Sequence, residues 1–227
     1  MHHGKWRGRV RASVVLLGLL GAAVPAFATN LSGPISGVFT AAGNPYEVTA
    51  SLSVAAGDTA RFEAGCELVF TNGHAFDVFG RLEVAGTSAQ PVLFGSGEAA
   101  PAPGDWAGIT FFSGGEGDFD HFEVRYAETG VYVFVGSGTF EDGKILDSAD
   151  YGFRADVTAS TAKRITVERA GQANPGFTGI FSSGGSPTFE FCEVRDCAGS
   201  GVGVPLQQGV ENAHVADRRI AAGADNQ

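Results

Sequence analysis

Along most of this chain apolar and polar residues alternate in short runs, and the runs themselves come back. Four segments show it best: Phe119–Ala127, Phe140–Ala149, Ala162–Ala170 and Phe189–Cys197. Within them Val124, Ile145, Val167 and Val194 hold one position, at spacings of 21, 22 and 27 residues. A small residue follows each: Ala127, Ala149, Ala170 and Cys197. Then comes a glycine with an apolar neighbour, as Gly130-Val131, Gly152-Phe153, Gly179-Ile180 and Gly201-Val202. Period-two alternation inside a repeat of roughly 20 residues marks a solenoid of strands, whose units bury their apolar faces only by stacking. An α-solenoid would need amphipathic 3.6-period segments of ten or more residues, and none follows residue 28.

Each segment is therefore expected to be a short alternating strand lying over its counterpart in the next coil, at about 4.8 Å. Phe122, Gly143, Ile165 and Cys192 then make one inward column and Val124, Ile145, Val167 and Val194 a second, with Phe119, Phe140 and Phe189 in another. The outward columns are expected to place Glu123 against Lys144, Asp142 against Arg164 and Glu168 against Arg195. Upstream, shorter strands are expected at Tyr46–Thr49, Leu52–Val54, Thr59–Phe62, Glu67–Phe70, Arg81–Val84 and Pro91–Phe94, separated by Ala-Gly, Asn-Gly and Gly-Thr turns. Gly95–Gly104, with Pro101 and Pro103, has no alternation and is expected to be a loop. The architecture predicted is all-β, a right-handed parallel β-helix of about seven coils.

The first residues follow another rule. Lys5, Arg7, Arg9 and Arg11 form a basic region without acids. Val14–Val24 is apolar but too short to span a bilayer with polar flanks, and Ala26-Phe27-Ala28 supplies a small-x-small cleavage pattern. Residues 1–28 are expected to be a signal peptide, with a mature chain from Thr29, an exported secreted or cell-surface address and no membrane span. Residues 29–43 form a lead-in, 44–209 the β-helix and 210–227 an incomplete last coil. Removing residues 1–28 takes the formal charge from −10 to −14, which excludes nucleic acid as a natural partner. Glycine-rich, phenylalanine-rich composition with three cysteines (Cys66, Cys192, Cys197) suits turns and strands and leaves no complete disulfide framework.

Several motifs then fall into one order. They are Asn44-Pro45-Tyr46-Glu47-Val48-Thr49, Val54-Ala55-Ala56-Gly57-Asp58-Thr59, Leu82-Glu83-Val84-Ala85-Gly86-Thr87 with Pro91-Val92-Leu93-Phe94, and Gly104-Asp105-Trp106-Ala107-Gly108-Ile109. Their order and spacing resemble the opening coils of bacterial secreted right-handed β-helix repeat proteins of the pectate-lyase-like superfamily, over about Asn44 to Gly209. The resemblance implies the fold; for function it implies only a range, from lyases and hydrolases to adhesins.

The chemistry those enzymes use does not stand out in the residues. A calcium-assisted lyase site needs two or three converging carboxylates beside a base. In the aligned columns each carboxylate faces a cation or a neutral residue, so Arg125 and Arg195 are expected to be solvated face residues. Gly73-His74-Ala75 and Arg164-Ile165-Thr166 only partly echo a polygalacturonase pattern, and the paired acids such a hydrolase needs are missing. His74, His121 and His214 share no coil position, which argues against zinc. Ser182–Gly185 is expected to be a turn, Trp106 a packed corner, the phenylalanines core ladders, and Cys192 and Cys197 buried thiols. No catalytic residue, metal site or cofactor is assigned. The favoured function is a non-catalytic exported module for surface, adhesion or scaffold binding to a carbohydrate or a protein; the alternative is a divergent polysaccharide lyase or glycoside hydrolase. In the tail Val215 follows Val194 by 21 residues and is expected to extend its column. Arg218–Gln227 then abandons the period, leaving an uncapped end expected to favour self-association.

Overall fold

Alternation commits each strand to one buried face, and parallel stacking lets successive coils bury that face together. The computed structural model describes residues 28–173 and 176–203, with the backbone of 215–218; the expected signal peptide, apart from Ala28, and most of the tail lie outside the described residues. Each coil contributes three strands to three parallel faces. The first face runs through Glu67–Phe70, Val92–Ser96, Phe122–Arg125, Lys144–Leu146, Thr166–Glu168 and Cys192–Arg195. The second runs through Ala75–Val78, Gly108–Phe111, Val131–Phe134, Phe153–Thr158, Ile180–Gly185 and Val202–Gly203, and the third from Gly37–Phe39 and Thr59–Glu63 to Thr188–Glu190. The long strand Tyr46–Val54, expected as two pieces, serves both of the first two faces: its start pairs with Glu67–Phe70 and its end with Ala75–Val78. This is an all-β parallel β-helix.

The expected columns form. Val124, Ile145, Val167 and Val194 lie in register and are fully buried, as are Phe122, Ile165 and Cys192 beside them. Phe119 faces Phe140, Phe140 faces Ala162, and Ala162 faces Phe189. Trp106 is buried at a corner, stacked 4.1 Å from Phe70, and its indole N–H donates to the Arg125 carbonyl at 2.8 Å. The three cysteines are free thiols; Cys66 and Cys192 are buried, while Cys197, expected to be buried, is half-buried.

Three expectations need correction. Ser182–Gly185, expected as a turn, is the second half of the strand Ile180–Gly185 and pairs in register with Ala155–Thr158. The repeated segments are not single strands. Each bends at a residue in the left-handed region: His121 (φ 51), Asp142 (φ 52), Arg164 (φ 55) and Phe191 (φ 54). Residues before the bend lie on the third face and residues after it on the first. The bend resets the alternation, which is why Phe119 and Phe122, an odd number of positions apart, both point inward. A left-handed non-glycine residue costs about 1–2 kcal/mol. The cost is offset because the ladder continues through the corner: His121 donates to Glu141 O at 3.2 Å, Asp142 to Lys163 O at 3.1 Å and Arg164 to Glu190 O at 2.8 Å. The last correction is in the tail. Val215 pairs with Cys192, so Asp217 stands opposite Val194 and the column is displaced by two residues.

The recurring glycine has a packing cause. A methyl on Gly152 would overlap Val167 and come within 2.7 Å of the Gly179 carbonyl oxygen. The β-branched anchor of the next coil fills that space, so anchor and glycine recur together.

Parity within the stack gives a sharp contrast between neighbours. Val167→Asp places an unpaired carboxylate in a fully buried column and is expected to cost several kcal/mol. Glu168→Ala removes a partly exposed partner of Arg169 and Arg195 and is expected to cost under about 1 kcal/mol. Urea denaturation of both variants decides it; equal losses would mean the inward and outward assignments are wrong.

Candidate functional site

Glu123 is the pivot between two cavities on and beside the first face. It lies in strand Phe122–Arg125 and is 9% exposed. Lys144 stands opposite it in register, as expected. The carboxylate is nevertheless taken by Arg125, two residues along the same strand and hence on the same side. A cavity of about 390 Å³ borders this pair on one side, over Leu93 and Gly95, with Glu67 at its far edge. Glu67 and Glu123 are both in register with Leu93, two rungs apart. Arg125 is exposed, as expected of a solvated face residue, and also borders this cavity.

The second cavity, about 340 Å³, lies at the corner between the third and first faces and includes Thr87, His121, Asp142, Lys144 and Arg164. Here Asp120, His121 and Asp142 bring their ligand atoms within 4.8 Å of one another. His121 Nδ1 is 2.7 Å from Asp120 Oδ1. The histidines' apparent isolation along the chain concealed this grouping. His121 and Asp142 are the corner residues of successive coils, and the alignment of Phe119-Asp120-His121 with Phe140-Glu141-Asp142 carries that signal. Asp142 is already engaged: Arg164 donates to Oδ1 at 2.7 Å and to Oδ2 at 2.6 Å, as expected from the outward columns. That bidentate bond holds the Asp142 carboxyl below the usual carboxylate range. A cation would have to displace a guanidinium to use both aspartates.

Arginine–carboxylate pairing is general. Each of the seven arginines with described side chains, Arg61 to Arg195, lies within salt-bridge distance of a carboxylate. On the third face Arg81 alone reaches Glu83, Glu116 and Asp118 at 2.7, 3.2 and 3.0 Å. Glu168 meets Arg195 at 3.9 Å, as expected, while Arg169 holds it more closely.

The second face differs, and sequence reasoning missed it. Not all phenylalanines are core: Phe79 and Phe134 are 40% and 41% exposed. Phe79 stacks on Phe112 at 4.9 Å, and Phe112 meets the edge of Phe134 at 6.4 Å. Beside them the Tyr132 hydroxyl donates to Asp156 at 2.9 Å. Burial, followed by this bond and the carboxylate's charge, pushes the Tyr132 phenol up to about 12. The available signal was Val131-Tyr132-Val133-Phe134, whose alternation sends the valines in and the aromatics out.

A parallel coil stack of this kind is the architecture of the pectate-lyase-like β-helix. The chain belongs to the pectate-lyase-like beta helix domain family, whose model matches residues 35–172. Among solved structures it is similar to an alginate lyase from Paenibacillus sp. str. FPU-7, at 16% identity and a TM-score of 0.33. That match covers 76% of this chain and 64% of the lyase, just short of two thirds of its length. No curated protein matches. Among the described residues no helix is long and apolar enough to cross a membrane.

Two measurements follow. The native state holds the Tyr132 proton above the unfolded value of about 10, so it binds more protons than the unfolded chain between about pH 10 and 12. Stability should therefore fall as pH rises through that window, and Tyr132→Phe should flatten the fall in urea melts taken from pH 9 to 12. Second, millimolar calcium is expected to leave the thermal midpoint unchanged while Arg164 holds Asp142. A shift of several degrees abolished by Asp142→Asn would show that a cation outcompetes the arginine.

Proposed function

We propose that this protein is a non-catalytic binding module of the pectate-lyase-like β-helix family, exported to the outside of the cell and holding a carbohydrate or protein ligand along an extended face. The supporting observation is the arginine–carboxylate pairing. Many of the carboxylates that could gather a cation or exchange protons with a substrate, Glu83, Glu123, Asp142 and Asp147 among them, are instead held by arginines. Calcium-assisted elimination needs several free carboxylates converging on one ion. Glycoside hydrolysis needs an acid and a base carboxyl kept in different protonation states. Ladders of guanidinium-bound carboxylates supply neither. What they do supply is a stiff, regular surface whose side chains are fixed before any ligand arrives, which lowers the ordering cost of binding.

A second function is favoured by one observation, the cavity bordered by Glu67, Glu123 and Arg125. With two carboxylates two rungs apart and an arginine beside one of them, it is where a divergent polysaccharide lyase or glycoside hydrolase would act. Incubating the protein with acidic polysaccharides, with and without calcium, separates the two. Binding by calorimetry without product is expected. Unsaturated product rising in ultraviolet absorbance, or new reducing ends, would replace the binding module with an enzyme.

A further inference from the structure

The second face is unlike the other two in charge and in chemistry. Its two outward columns, among the described residues, run Ser53, Asp77, Thr110, Tyr132, Arg154, Phe181 and, alongside, Phe79, Phe112, Phe134, Asp156, Ser183. Only Asp77, Arg154 and Asp156 among these are ionisable near neutral pH. Arg154 and Asp156 cancel at 2.7 Å, which leaves Asp77 as the one uncompensated charge in these columns. The first and third faces carry dense ladders of full charges; this one is locally close to neutral.

Aromatic rings and fixed polar groups alternate across it. The Arg154 guanidinium lies 4.6 Å from the Tyr132 ring centre, 5.1 Å from Tyr151 and 5.5 Å from Phe181. Tyr132 in turn packs 5.6 Å from Phe134. The Asp156 carboxylate, in a residue 6% exposed, accepts from Tyr132 and Arg154 through Oδ2, while Oδ1 is enclosed, out of reach of the surface, with no donor among the described residues. Phe134, one rung below Asp156, and Ser183, one rung above, are its neighbours in the outward column. So a partly exposed ring, Phe134, lies beside a guanidinium held in place by a buried carboxylate and three rings. From Phe79 to Phe181 the stripe covers four rung steps of about 4.8 Å, or roughly 19 Å along the stack.

We propose that this face is a binding platform for a neutral oligosaccharide laid along the stack, with its apolar C–H faces on the Phe79–Phe112–Phe134 stripe and its hydroxyls on Arg154 and Ser183. The proposal rests on the binding-module function and names its ligand class and its face. A sugar chain offers what the stripe asks for: apolar faces, a rim of hydroxyls for Arg154 and Ser183, and length along one axis. An acidic glycan is disfavoured, since the one cation here is already neutralised and the protein as a whole is strongly negative.

Calorimetry on the exported protein with cellohexaose, xylohexaose and mannohexaose, against hexagalacturonate, tests it. At least one neutral hexasaccharide should bind, Phe134→Ala and Phe79→Ala should each weaken it tenfold or more, and Thr139→Ala on the third face should leave it unchanged. Circular dichroism melts confirm that the variants are folded, and Tyr132→Phe, which keeps the ring, gives a second probe with a smaller loss. Failure of all three neutral sugars to bind overturns the proposal. So does neutral-sugar binding that survives both phenylalanine substitutions, although the binding-module function then stands with its ligand on another face. A homodimer in light scattering that Phe134→Ala dissolves would also overturn it, assigning the stripe to a second copy of the chain. Cleavage of the bound sugar, lost with Phe134→Ala, would keep the platform and end the non-catalytic function.

Discussion

Each residue in a strand of this fold has its counterpart one coil away, about 4.8 Å distant, and backbone hydrogen bonds between coils hold it there. That register is the constraint on which everything else depends. It turns side-chain choice into column choice: a residue must suit the residues above and below it before it suits anything else. Valine and isoleucine stack on each other from Val124 to Val194, and phenylalanines stack from Phe119 to Phe189 across Ala162. Charges must then alternate or be shared, since like charges directly opposed repel. Arg81 spread over Glu83, Glu116 and Asp118 shows how one guanidinium neutralises three rungs.

The same constraint explains what could be read in advance. Columns are written in the sequence as a period, so aligning Val124 with Ile145, Val167 and Val194 was enough to place a first-face inward column and to derive the Asp142–Arg164 pair. The glycines after each anchor were legible as part of the period, although their cause, the next coil's anchor occupying the space of a methyl group at Gly152, needed coordinates.

What was not legible lies where a period of two breaks. A left-handed residue between two strands reverses inside and outside, and nothing in histidine, aspartate, arginine or phenylalanine announces that conformation as glycine would. His121, Asp142, Arg164 and Phe191 therefore hid both the corner and its consequence, the meeting of Asp120, His121 and Asp142. Phenylalanine was ambiguous for a related reason. Phe111 and Phe112 are adjacent, so one must be inside and the other out; composition cannot say which, and the exposed stripe was absorbed into the core. Glu123 failed differently: register put Lys144 opposite, but Arg125 on its own strand reaches the carboxylate with a planar fork that lysine lacks.

These features divide labour among the faces. A β-helix tolerates change on one outward column without disturbing another, because each coil touches only its neighbours and each face is a separate ladder. Ion-pair ladders on the first and third faces keep a negative protein's exposed carboxylates from repelling one another along the stack. They also occupy the groups that could act on a ligand. Among the described residues the second face has no such ladder beyond the Arg154–Asp156 pair, and its order comes mainly from ring packing and from Arg154 clamped between Tyr132, Tyr151 and Phe181. Rings keep their positions without using up surface charge, so an aromatic face can be rigid and still chemically open. A charged ladder gains rigidity only by closing its own groups. In a fold whose stability comes from the inside of the stack, the face that stabilises itself through apolar contact is the one left free to recognise something else.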